Sequence, residues 1–89
     1  MVKYRLYFTL QAQKDAKRIS KAGLRDQTEK LLKILRRDPF ARDPPHEKLI
    51  GDLIGAFSRR INIHHRLVYQ VYEKEKAIKA IRLWTHYGE

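Results

Sequence analysis

Residues 10–39 read LQAQKDAKRISKAGLRDQTEKLLKILRRDP, and this stretch decides the fold. It contains two helical periods separated by one glycine. The first helix is expected from about Leu10 to Ala22, with Thr9 as its N-cap. Its Ala12, Ala16 and Ile19 share one face, while Lys14, Lys17, Arg18 and Lys21 fall on the other. Gly23 is a natural C-terminal stop, because glycine enters the left-handed region without steric cost. The second helix starts at about Leu24 and gathers Leu24, Thr28, Leu31, Leu32, Ile34 and Leu35 on one arc. Arg25, Lys30, Lys33, Arg36 and Arg37 take its opposite side. Pro39 ends it, since a residue before proline avoids the helical region. The pair reads as a helical hairpin, apolar inside and basic outside.

Upstream, Val2 to Thr9 carries Tyr4, Leu6 and Phe8 on alternate positions, the pattern of a half-buried strand. Downstream, Pro39, Pro44 and Pro45 make Phe40 to His46 a loop. Short β segments follow at about Glu47–Leu53, Ala56–Ile63, Arg66–Tyr72 and Ala77–Tyr87. Gly51 and Gly55 bracket a turn, and Glu73-Lys74-Glu75-Lys76 is a polar hairpin tip without a strong turn signature. The expected fold class is α+β, β-α-α followed by three or four antiparallel strands, with the helical hairpin packed on one sheet face. One domain over residues 1–89 suits the length.

The 89 residues include 20 Lys+Arg against 10 Asp+Glu, a formal charge of +10. Through residue 44 there are 12 basic and 5 acidic residues, and the remaining part is basic too, so no separate tail carries the excess. A field of this kind favours polyanions, nucleic acid first, although an acidic protein partner is equally permitted. There are no cysteines, which excludes disulfides and thiolate metal sites and suits a reducing, cytoplasmic setting. No signal peptide or membrane span is visible: Lys3 and Arg5 interrupt the first apolar stretch.

Strand parity then sorts the later segments by face. Phe57, Ile61, Ile63, Leu67, Tyr69, Val71, Ile81 and Leu83 are expected beneath the helices. Ser58, Arg60, Asn62, Arg66, Val68, Gln70, Arg82, Trp84 and His86 are expected on the uncovered face, subject to any bulge. That face becomes a cationic groove holding an indole and an imidazole, and Glu47 is the one carboxylate placed to reach it. Metal-free RNA cleavage needs a base for the 2′-OH, an acid for the leaving 5′-oxygen, and cations for the phosphorane. Glu47, His86 and Arg66 can fill those roles in that order. A surface glutamate and a terminal histidine satisfied by packing are the plainer alternative at this stage.

The other polar groups have milder readings. His64-His65 sits at a hairpin, and adjacent strand positions face opposite ways with no third ligand near, so a turn is expected rather than a metal pair. Arg59-Arg60 should split across the sheet, one touching phosphate and the other solvated. Tyr69 and Tyr72 read as packing residues. The basic helix faces are solvated or grip an RNA backbone.

Taken together, Pro39-Phe40, Glu47-Lys48-Leu49, Gly55-Ala56-Phe57-Ser58-Arg59-Arg60-Ile61, His65-Arg66-Leu67-Val68-Tyr69 and His86-Tyr87 resemble the YoeB/Txe toxins of the RelE superfamily. The resemblance covers nearly the whole chain. It implies a RelE-like fold and a ribosome-dependent mRNA endoribonuclease that cleaves in the A site without a cofactor or metal. It further implies neutralisation by a YefM/Phd-type antitoxin, expected to be acidic, and contact with operator DNA only through the antitoxin complex. Carried over by position, the general base is Glu47, the phosphate-binding arginine Arg66, the general acid His86 and the final tyrosine Tyr87, here followed by Gly88 and Glu89. Lys48 and Arg60 are supporting cations, with Arg82 a further phosphate contact on the same face. Relatives form homodimers, an arrangement that the two short helices here neither require nor exclude. The alternatives are a non-catalytic nucleic-acid-binding module using the same face and an inactive relative kept as an antitoxin partner.

Overall fold

A computed structural model describes residues 3–41, 46–48, 55–62 and 65–83, with residues 46–48 described by backbone pairing alone. The elements run β1 (Arg5–Phe8), α1 (Leu10–Lys21), α2 (Arg25–Arg37), β2 (His46–Lys48), β3 (Phe57–Arg60), β4 (Arg66–Tyr72) and β5 (Ala77–Arg82). The strands form one sheet in the order β1-β5-β4-β3-β2. β2 to β5 pair antiparallel, as expected, while β1 lies parallel to β5 at the edge. Among the described residues, no helix is long and apolar enough to cross a membrane.

Local chemistry sets the helix ends. Thr9 Oγ1 accepts the Ala12 N–H at 3.0 Å and donates to the Ile81 carbonyl at 2.8 Å, so one hydroxyl caps α1 and ties it to β5. Gly23, at φ +76°, closes α1, and the Leu24 N–H donates to the Ile19 carbonyl at 3.0 Å. That six-to-one bond defines a Schellman stop. α2 ends at Arg37, with Asp38 already extended before Pro39, and Arg36 and Arg37 in its last turn complement the helix dipole.

The core lies between the helices and one sheet face. Ala12, Ile19, Leu31, Leu35, Leu67, Tyr69, Ile78, Ala80 and Leu83 form its buried cluster. Burying large apolar side chains of this kind stabilises by about 1.5–3 kcal/mol each before entropy is charged. The polar tip after β4 is a hairpin in which Lys76 adopts φ 51°, where a side chain is tolerated at a cost. The Lys76 carbonyl accepts the Arg5 N–H at 2.8 Å, and its ammonium stands 5.3 Å from the Tyr4 ring centroid.

Three expectations from parity are corrected. Register slips between Val68 and Tyr69, so Val68 pairs with Arg82 but Tyr69 pairs with Ala80. Ile81 is the extra residue of this bulge and stays partly exposed, while Ala80 takes the buried place expected for it. Arg59 is not solvated but wholly buried: it falls on the Phe57 side of β3 and finds its acceptors there. The second sheet face is not open throughout either, because Ser58 and Val68 are buried at its centre.

Candidate active site

Cross-strand register assembles the site. Glu47 of β2 lies opposite Ser58 of β3, Ser58 opposite Val68 of β4, and Val68 opposite Arg82 of β5. One step along, Arg60 lies opposite Arg66. Directly opposed residues share a face and sit about 5 Å apart. These six positions therefore form two adjacent rows on the face away from the helices. Lys48 pairs with Phe57, whose ring packs on the core, so Lys48 belongs to a different row from Glu47.

Arg66 is half-buried, and its Nη1 donates to Ser58 Oγ at 3.5 Å. This contact turns the guanidinium from its own row toward the row of Glu47. Arg60, directly across the strand pair, is exposed. Two arginines in opposition repel, and an anion between them would relieve the cost. That end of the sheet is suited to phosphate, which planar guanidinium groups bind through paired donors.

Arg82 is held differently. Its Nε lies 3.6 Å from Asp15 Oδ2, and its side chain is 44% exposed. Asp15 itself is fully buried on α1, where it also accepts the Leu83 N–H at 3.1 Å and Gln11 Nε2 at 3.0 Å. α1 thereby fixes the end of β5, immediately before Trp84. Trp84, His86 and Tyr87 lie outside the described residues, as do the side chains of Glu47 and Lys48.

Behind the site, buried Arg59 braces β3. Its Nε donates to Tyr69 Oη at 2.8 Å, and its Nη2 donates to the carbonyls of Pro39 at 3.0 Å and Ala41 at 2.7 Å. Phe40 meets the Phe57 ring edge-to-face and Tyr69 meets it at a tilt, both at centroid spacings of 5.8 Å. Burial raises the Tyr69 hydroxyl above its ordinary value of 10.0, partly offset by the Arg59 hydrogen bond and charge. His65 is buried at the hairpin before β4, its carbonyl accepting the Ile61 N–H and its own N–H bonded to Asn62 Oδ1. His64 lies outside the described residues.

Three contributors go beyond the sequence expectations. Parity gives Ser58 its face but no role. Asp15 stands three residues after Ala12 and four before Ile19, on the apolar stripe. A carboxylate on that stripe was the available signal. The bracing role of Arg59 was legible from its parity with Phe57 and Ile61.

Comparisons with known proteins agree with this geometry. Residues 6–87 match the family model described as a YoeB-like toxin of bacterial type II toxin-antitoxin systems. Toxin YoeB of a Synechocystis species is 42% identical over 57 residues, a stretch spanning 64% of this chain and 64% of that protein. The chain thus matches somewhat less than two thirds of that curated relative's length. The YoeB/ParE toxin of Agrobacterium tumefaciens superposes with a TM-score of 0.83 at 32% identity, covering 93% of this chain and 99% of that one. Staphylococcus aureus YoeB, 33% identical over 96% of this chain and 99% of its own, superposes at 0.79 from its complex with YefM and at 0.81 from its dimer. On fold and sequence alike, the chain belongs to the YoeB-like toxins of bacterial type II toxin–antitoxin systems.

Proposed function

We propose that this toxin is a ribosome-dependent mRNA endoribonuclease that cleaves in the A site by metal-independent acid/base chemistry. The observation that carries the reading is the Glu47–Ser58 register with the Arg66 guanidinium drawn to Ser58 Oγ. A carboxylate position and a phosphate-binding cation then meet on one row. In this reading Glu47 takes the 2′-OH proton, Arg66 steadies the phosphorane charge, and His86 protonates the leaving oxygen. Tyr87 positions a nucleobase, and Lys48, Arg60 and Arg82 supply supporting charge. A base and an acid at one site require environments that push their pKa values apart, which adjacent phosphate and guanidinium groups provide.

The partner follows from charge and from the relatives. A +10 toxin calls for an acidic inhibitor, and the Staphylococcus aureus relative is solved with YefM. A YefM/Phd-type antitoxin therefore covers the site, operator DNA is met only through that complex, and the toxin works in the cytoplasm as a homodimer. The dimer rests on the relative solved in that form.

Primer extension on mRNA from a translation reaction, run with chelator present, tests the reading. Cleaved A-site product is expected from the wild-type chain and none from His86→Ala, which should still bind ribosomes. A His86→Ala variant cleaving at the wild-type rate would remove His86 from the chemistry. Salt-dependent RNA binding with no product from either chain would identify a non-catalytic binding module.

A further inference from the structure

The sheet face that carries the candidate site continues past it, toward the β1 edge. Two regular rows lie there, beyond the bulge. Arg5 pairs with Ala77 and Ala77 with Tyr72, while Tyr7 pairs with Lys79 and Lys79 with Gln70. Each row thus contains one cation and one phenol ring, with their order reversed from one row to the next. All of these residues but Gln70 line an open cavity of about 470 Å³, with Glu75 at its hairpin end.

The rings are uncommonly available. Tyr7 is 51% exposed and Tyr72 39% exposed, although large aromatics on a sheet normally find cover. Tyr72 Oη donates to Gln70 Oε1 at 3.0 Å, which holds that ring over the sheet rather than out in solvent. Ala77, between Arg5 and Tyr72, is small and buried, so it forms a floor and not a wall. Arg5 and Lys79 are both exposed beside the rings.

From this arrangement we infer that the Tyr7–Tyr72 face is a second binding site, a stacking platform for unpaired nucleotides of the RNA strand that enters the candidate active site. Phenol rings offer π-faces to bases without regard to sequence, and neighbouring cations meet the phosphates. Strand geometry places the rows about 7 Å apart, since alternate residues advance two steps of roughly 3.4 Å. That spacing is comparable with successive phosphates of an extended strand. The Gln70–Lys79 row is next to the Val68–Arg82 row, so platform and candidate site are continuous on one face. An acidic polypeptide is the competing occupant of a cationic surface, but alternating rings and cations suit a chain of alternating bases and phosphates better. Glu75 repels phosphate at the tip, beside the Arg5–Ala77–Tyr72 row, and directs the strand toward Lys79. The inference rests on the RNA-directed reading above, and its test does not depend on cleavage.

Anisotropy with a short fluorescein-labelled oligouridine, at fixed salt and without ribosomes, measures the platform directly. Tyr7→Ala and Tyr72→Ala should each weaken binding by roughly 5- to 100-fold, while Tyr7→Phe and Tyr72→Phe keep the ring and stay near wild type. All four variants should melt close to the wild-type temperature, because both side chains are exposed. Affinity for duplex RNA, whose bases are already stacked, should not change. An unchanged oligouridine affinity in the double alanine variant would overturn the proposal, as would an equal loss on duplex RNA. Loss of binding to a polyglutamate peptide with oligouridine binding intact would assign the face to an acidic polypeptide instead. Ring-dependent oligouridine binding by a wild-type chain that yields no cleaved mRNA would sink the nuclease reading alone. Cleavage without any ring-dependent binding would sink the platform alone.

Discussion

Asp15 Oδ2 accepts the backbone N–H of Leu83 at 3.1 Å, joining the middle of α1 to the last described turn of chain after β5. With Thr9 Oγ1 bonded to the Ile81 carbonyl, α1 holds the exit of β5 at two points. These bonds fix the last described residues of the chain, Ile81 to Leu83, against α1.

Asp15→Ala should lower stability by about 2–3 kcal/mol, because a buried N–H and the Arg82 guanidinium lose a charged acceptor together. Asp15→Asn keeps an oxygen for Leu83 and should lose only about 1 kcal/mol. Urea unfolding of the two variants checks the order. Equal losses would mean that the ion pair, not the backbone bond, carries the effect.

Arg59 should be intolerant of substitution. Its buried fork serves two carbonyls and the Tyr69 hydroxyl, and a lysine cannot reach all three from one point charge. Arg59→Met and Arg59→Lys should each cost about 3 kcal/mol or more, since the acceptors stay buried. A thermal melt of Arg59→Lys near wild type would contradict the bracing role.

Tyr69 should ionise later than an ordinary tyrosine. Its hydroxyl is raised above 10.0 by burial, whereas the unfolded chain ionises near the ordinary value. The unfolded state therefore releases this proton first, so the contribution of Tyr69 is present below pH about 10 and is lost as pH climbs through the folded value. An ultraviolet titration of the 5 tyrosines should show a delayed component that Tyr69→Phe removes. That variant should also lose about 1 kcal/mol at neutral pH, because Arg59 Nε forfeits an acceptor.

Arg66→Ala should reduce mRNA cleavage by about 10²–10³-fold, the usual loss when one preorganised electrostatic donor is removed. Arg66→Lys should recover little, because a point charge cannot replace the planar fork at Ser58 Oγ. Ser58→Ala should cost less than either, as it only guides the guanidinium. Single-turnover cleavage on programmed ribosomes separates the three, and full activity in Arg66→Ala would exclude it from the chemistry.

By itself the sequence determined the helical hairpin, the strands and the class of the fold. Those depend on local periodicity, on Thr9, Gly23 and Pro39, and on the alternation in Arg66–Tyr72, all readable within a few residues. It also placed Arg60 and Arg66 on one face, since their spacing puts both on the side opposite Phe57 and Leu67. Only the tertiary structure decided the parallel seat of β1 on β5, the bulge that replaces Ile81 with Ala80 in the core, and the capture of Arg82 by Asp15. The first and last join segments more than sixty residues apart and the bulge is a matter of β4–β5 register, and a pattern read along one strand carries no information about its partner. The joining of Tyr7 to Tyr72 across β5 belongs with them: each ring alone looks like ordinary packing, and the pairing of the strands makes them one surface.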